Sequence, residues 1–118
     1  GLKAEKERLR IVLTKNPKEY QKYVVPGQLE FSDEQPKELV TRLKKQGFTQ
    51  LLLVSGGKVA TSFFKASLIN ELWLTLEPRI FGIGGTLVQE EQFDIQLQLL
   101  SNEILNKQGT LLLKYKVL

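Results

Sequence analysis

TQLLLVSGGKVATSFFKASLINELWLTLEPRIFGIGG, residues 49–85, is the stretch whose reading decides the fold. Leu51, Leu52, Leu53 and Val54 form a continuous apolar run, the pattern of a strand covered on both faces, so a buried strand is predicted over residues 50–54. Ser55, Gly56 and Gly57 then read as a tight turn. Two adjacent glycines let the backbone reverse sharply and leave amide N–H groups free where a helix begins, a place that suits an anion. The helix is predicted over residues 58–68 and a second strand over 71–77, before Pro78 and a loop carrying Gly82, Gly84 and Gly85. The unit is a β-turn-α-β.

Toward the amino terminus, a helix is predicted over residues 36–46. Ser32 or Asp33 can cap it, Pro36 fits its first turn, Leu39, Val40 and Leu43 make its apolar stripe, Lys44 and Lys45 favour its carboxyl end, and Gly47 can stop it. A short strand over 29–31 precedes it, after a turn at Pro26 and Gly27 and a single helical turn within 18–23. Earlier still, Leu9, Ile11 and Leu13 alternate as a strand that ends at Thr14, stopped by Asn16 and Pro17. Residues 1–10 read as a short exposed helical turn or a frayed terminus. Toward the carboxyl terminus, Phe93, Ile95, Leu97 and Leu99 alternate with polar residues, a turn falls at 106–109, and Leu111, Leu113, Tyr115 and Val117 alternate with Lys114 and Lys116. That is an antiparallel hairpin.

The expected fold class is therefore α/β: a three-layer α/β/α arrangement with a mixed, mainly parallel sheet, its strands near Leu9, Thr49 and Glu71 parallel, and a C-terminal antiparallel hairpin. The 118 residues, 42% of them hydrophobic, support a single domain with a modest core. With no cysteine and no histidine, these residues offer no disulfide, no transition-metal site, and no serine-histidine or cysteine-histidine catalysis. No apolar run is long enough to span a bilayer and the charged start is unlike a signal peptide, so a cytoplasmic protein without a membrane partner is expected. Seventeen basic against thirteen acidic residues, net +4, is a mild excess. Lys44 and Lys45 with Lys114, Tyr115 and Lys116 make too thin a cluster for a nucleic-acid partner.

The segment 55–85 resembles the pattern Gly-Gly-Gly-x-(Leu/Val)-x-x-Ser-Phe-Leu-x-x-x-Leu-Val-Asp-Glu-Leu-x-Leu-x-(Ile/Leu)-x-Pro-x-x-(Leu/Phe)-Gly-x-Gly of the dihydrofolate-reductase-like family, which includes the reductase domain of bacterial riboflavin biosynthesis. Gly56, Gly57, Ser62, Phe63, Leu68, Glu71, Leu72, Pro78, Gly82 and Gly84 fall on matching positions, and Ser55 stands where the pattern has its first glycine. RIVLTKNPKEY, residues 10–20, is similar to that family's strand ending in Thr-Arg-x-Pro. The resemblance covers the second half of such a domain. Neither the opening Met-Ser-x-Asp-Gly segment nor the Gly-Arg-x-Thr turn is present, so a C-terminal part of a reductase-like domain is expected.

The resemblance implies an NADPH-dependent reductase with a pterin- or pyrimidine-like substrate. It brings NADPH phosphates to the backbone at Ser55, Gly56, Gly57, Lys58 and Val59, and puts Thr14 and Lys15 where the family meets the 2′-phosphate. Lysine keeps that charge without the bidentate fork of arginine. Taken without the resemblance, Gly56-Gly57 is an ordinary strand-to-helix turn and Lys15 a solvated side chain. The turn is not a Walker loop, because Val59 rather than Ser or Thr follows Lys58; in the separate loop with Gly82, Gly84 and Gly85, Leu87 stands where a third fingerprint glycine is needed. One of the two glycines is expected to be strained, with a cis peptide an option.

Trp73 is expected in the core. Glu71, Glu77, Glu90 and Glu91 show no acid-base spacing, and no residue is named catalytic, since hydride in such enzymes comes from the cofactor. Exposed sheet surface predicts a homodimer, through strand 111–117 or the strand with Phe93 and Ile95. The alternative is a non-catalytic oligomerising remnant or nucleotide-binding module.

Overall fold

Local sequence signals lay down two compact units, one ending at Gly47 and one running over Phe48–Leu118, in a computed structural model that describes residues 8–118. The turn expected over residues 1–10 falls largely on residues 1–7, outside the described residues.

In the first unit, β1 (Arg10–Leu13) pairs in parallel with β2 (Leu29–Ser32), Arg10 opposite Leu29 and Leu13 opposite Ser32. Ile11 and Leu13 turn inward while Val12 is exposed, as the two-residue period requires. The connection is a 3₁₀ helix, Pro17–Tyr23, started by its proline; its Tyr20 ring stacks on Phe31 of β2 at 5.1 Å and 13°. Gly27, at φ 76°, then reverses the chain into β2.

Helix α1 (Pro36–Lys45) buries Leu39 and Leu43, as its stripe predicts, and Gly47 stops it at φ 94°. The cap differs from expectation. Gln35 occupies that position without a side-chain hydrogen bond. Ser32 instead accepts from the Glu34 amide at 3.0 Å and donates to the Glu34 carboxylate at 2.8 Å, forming a turn ahead of the helix.

In the second unit the predicted strand over 50–54 is not formed. Leu51, Leu52, Leu53 and Val54 are 46, 85, 37 and 86% exposed, so their exposure alternates with the period of a strand although no ladder holds them. An apolar run specifies an extended segment, but a strand also needs a neighbour to take its N–H and C=O groups. Among the described residues none does so. The helix after it, α2 (Gly57–Lys65), starts one residue earlier and ends three earlier than expected, burying Ala60, Thr61 and Phe63.

β3 (Glu71–Leu76), β4 (Leu97–Ile104) and β5 (Leu111–Val117) form an antiparallel sheet in the order β3-β5-β4. The terminal hairpin is as expected, and its turn is closed by Asn106, whose Oδ1 accepts the Gly109 and Thr110 amides at 3.1 Å. Three expectations change. β3 pairs antiparallel with β5, so among the described strands the ladders are one parallel pair and two antiparallel pairs rather than mainly parallel. Residues 93–96 stay irregular and β4 begins at Leu97. The expected contact strand 111–117 is the centre of its sheet, with both edges already paired.

Candidate functional site

The Gly56-Gly57 turn is built by sterics rather than by strain. Gly56 caps α2 at φ −77° and ψ 175°, an extended conformation that any residue adopts, Gly57 is the first helical residue, and the described residues contain no cis peptide. The expectation of a strained glycine is therefore wrong. Gly57 is required for another reason: a Cβ there would lie 3.1 Å from the Thr86 carbonyl oxygen, 3.2 Å from the Val88 carbonyl carbon and 3.3 Å from the Gln89 nitrogen. At Gly56 a Cβ would meet open space. The loop that follows the glycine-rich stretch thus lies backbone to backbone on the first turn of α2.

Thr61 fastens this contact. It lies four residues after Gly57, is only 3% exposed, donates its hydroxyl proton to the Gly57 carbonyl at 2.7 Å and accepts the Gln89 amide at 2.8 Å. The Thr86 hydroxyl, donating to the Val88 carbonyl at 2.6 Å, closes the loop on itself. Thr61 and Gln89 were not singled out from sequence. The available signal was a small polar residue on the apolar stripe of α2, which usually means a hydroxyl returning to the carbonyl four residues back.

The first turn of α2 leaves the amides of Gly57, Lys58 and Val59 without a protein acceptor among the described residues. Lys58 is exposed, Val59 half-buried, and the Ser55 hydroxyl donates to the Gly56 carbonyl at 3.2 Å. Three free donors at the positive end of a helix dipole, with a lysine beside them, attract an anion. The other predicted site residues belong to the first unit. Thr14 follows β1, its amide bonded to the Ser32 carbonyl at 2.9 Å and its hydroxyl accepting the Asn16 amide at 3.2 Å, and Lys15 is exposed.

Trp73, Glu71, Glu77 and Glu91 have structural partners. Trp73, expected in the core, is half exposed, with the Lys114 ammonium 4.0 Å from its ring centroid and its indole N–H toward Glu71 at 3.4 Å. Glu77 accepts from Thr110 at 3.1 Å, and Glu91 faces Lys65 at 3.5 Å. No cluster of acidic residues suited to a metal occurs among the described residues, and no helix there is long and apolar enough to cross a membrane. An apolar cavity of about 190 Å³, lined by Phe64, Leu72, Leu87, Phe93 and Ile95 with Asp94 as its one charge, lies beneath the same loop. It is smaller than the roughly 300 Å³ at which ligand pockets begin.

Comparison with known proteins fits this arrangement. Residues 2–110 match the RibD C-terminal domain, and the chain belongs to that family. A protein of Shewanella sp. PV-4 assigned to riboflavin biosynthesis has a similar structure, with a TM-score of 0.72 and 21% identity over 94% of this chain and 61% of that one. RibD of Acinetobacter baumannii is similar with a TM-score of 0.68 and 17% identity over 92% of this chain and 31% of its own. No curated protein matches. The resemblance to riboflavin-biosynthesis reductases is thus borne out at the level of family and fold, and the chain spans less than two thirds of either protein's length.

Proposed function

We propose that the chain is the cofactor-binding part of an NADPH-dependent reductase of the dihydrofolate-reductase and riboflavin-biosynthesis type, acting in the cytoplasm on a pterin- or pyrimidine-like substrate. Its part-length match to larger proteins supports a role within a bigger reductase domain. The observation that carries the reading is the trio of acceptor-free amides at Gly57, Lys58 and Val59. Such a helix start takes a diphosphate without deforming, and Ser55 and Gly56 leave its approach open. Lys15 and Thr14, by family resemblance, serve the 2′-phosphate. NADPH supplies the hydride; this chain's residues hold and orient the nucleotide.

Titration of the purified chain with NADPH and NADH, followed by nicotinamide fluorescence, tests the reading. Saturable binding that prefers NADPH is expected, and Lys15→Ala should weaken NADPH far more than NADH. Equal affinity for both nucleotides would remove the role of Lys15, and no binding of either would remove the cofactor-site reading.

A second reading, an oligomerising module that forms a homodimer, is favoured by the twenty large hydrophobic side chains left exposed among the described residues and by the unpaired outer edges of β3 and β4. Light scattering showing a monodisperse monomer at high concentration would count against it.

A further inference from the structure

We infer that residues 50–54 and the outer edge of β3 are the two walls of a slot that takes one further β-strand, an extended apolar segment of polypeptide from outside residues 1–118. The slot does not depend on the reading of α2 as a nucleotide site. Residues 48–55 make no backbone hydrogen bond with any other described residue, and β3 is bonded on one side only, to β5. Each wall therefore offers a row of N–H and C=O groups that an extended backbone satisfies.

The two walls belong to one β-α-β unit. Only Ser55 and Gly56 separate Val54 from α2, and residues 66–70 separate α2 from β3. A crossover of this kind lays its two strands parallel in one sheet. Residues 50–54 and β3 share no ladder bond, so they are not neighbours in that sheet, and one strand between them makes it continuous. The side chains already keep the two-residue period that such a strand requires. Leu51 and Leu53 are less exposed than Leu52 and Val54, and on β3 Leu72 and Leu74 are half-buried on either side of the exposed Trp73. Neither Leu51 to Val54 nor Leu72 to Leu76 carries a charge, so the occupant is uncharged where it meets them. Residues 1–7, with Lys3, Glu5, Lys6 and Glu7, lack that character, whereas both similar structures contain chain that has no counterpart here.

Titration of the whole chain with the end-capped peptide Lys-Thr-Val-Thr-Val-Thr-Val-Lys tests the slot. The readouts are the fluorescence of Trp73, the one tryptophan and part of β3, and hydrogen exchange of the amides of residues 51–54. Saturable binding is expected, with exchange at those amides slowed at least tenfold. Two further peptides carry N-methyl groups on the three valines or on the three threonines, which removes the N–H groups of one edge or the other and keeps the side chains and charge. Each should bind about tenfold more weakly or worse, the worth of one or two ladder bonds. A loss with only one of them would mean a strand added to a single edge and would overturn the slot, as would no binding of the unmethylated peptide. Leu52→Pro and Leu53→Pro remove N–H groups from opposite edges of the segment, so one of the two should weaken the peptide about tenfold while the β5 amides stay protected. Parent-like binding by both would remove residues 50–54 as a wall. Amides 51–54 that are protected in the dilute chain without peptide would show a slot closed within the chain, and protection that rises with chain concentration alone would assign it to a second copy; either result overturns the inference.

Discussion

Two apolar segments of the second unit, residues 50–54 and β5, have comparable strand character in the sequence and opposite fates in the structure. β5 carries alternating Leu111, Leu113, Tyr115 and Val117, lies between β3 and β4, and gives its backbone groups to both neighbours. Leu51 to Val54 are more hydrophobic still, yet they alternate in exposure with no ladder on either side. Side-chain pattern specifies an extended chain, and a pairing partner makes it a strand.

Proline is the most direct way to break this comparison. Every residue of a central strand sends its N–H to one neighbour or the other, so Leu113→Pro removes a ladder bond and its ring disrupts the register. A loss of about 3 kcal/mol or more is expected, enough to unfold a small unit. Leu52→Pro has no ladder bond to lose and should stay within about 0.5 kcal/mol. Urea unfolding of the two variants measures the difference. Equal losses would mean that residues 50–54 are paired in solution.

The next contrast separates the two glycines. Gly57→Ala drives a methyl against the backbone of Thr86, Val88 and Gln89 and should cost about 1–3 kcal/mol, with loss of NADPH capture if the turn binds it. Gly56→Ala, facing open space in an extended conformation, should cost only about 0.5 kcal/mol, from the weaker capping tendency of alanine. Thermal unfolding and NADPH titration read both effects. A tolerated alanine at Gly57 would show that the loop shifts aside easily, which also bears on the role of Thr61.

These cases show why the sequence was readable in parts. The stripe of α1, the turn at 106–109 and the alternation of β5 depend on neighbours close in sequence, and all three formed where predicted. Gly56 and Gly57 were visible as a turn, but the cause of the glycine at 57 was not, because the crowding atoms lie about thirty residues further along. Thr61 was hidden for the same reason. The parallel sheet expected around residues 50–54 required knowing which strands would meet, and an apolar run does not carry that information.

Charge offers a smaller contrast between the units. In the first, Arg42 bonds Glu34 at 2.8 Å and Glu30 at 2.7 Å, all three about two thirds or more shielded. The hydrogen bond from Arg42 is the main cause that holds the Glu34 carboxyl below its ordinary range, with Ser32 and the Arg42 charge assisting against the opposing effect of burial. A depressed folded pKa contributes stability above the unfolded value of about 4.3 and loses it as pH falls through the folded value. Acidification from about pH 6 to about pH 3 should therefore weaken the first unit, and Glu34→Gln should cost about 1 kcal/mol at neutral pH while flattening that dependence. The exposed Lys65–Glu91 pair of the second unit, at 3.5 Å, should contribute nothing measurable, so Glu91→Gln is the control. An unchanged acid profile in Glu34→Gln would remove the network from the account.

The smallest expected effect is at the end of α2, where the glycine contrast is reversed. Ser67 holds φ 56°, and it is the one described residue other than glycine with a positive φ. Its amide bonds the Phe64 carbonyl at 3.0 Å and the Leu68 amide bonds the Phe63 carbonyl at 3.1 Å, the paired bonds of a Schellman stop. A side chain in this left-handed conformation costs about 1–2 kcal/mol, whereas glycine takes it freely but gives up more chain entropy on folding. Ser67→Gly should leave the stop intact and raise stability by about 0.5 kcal/mol, the difference between those two terms. Ser67→Val, branched at the same atom that is crowded, should lower it by at least as much. At the ends of α2 the glycine that geometry favours is thus absent at Ser67, where φ is positive, and present at 57, where φ is ordinary and space is short. A destabilised Ser67→Gly would mean that the helix end is held by something other than its backbone stop.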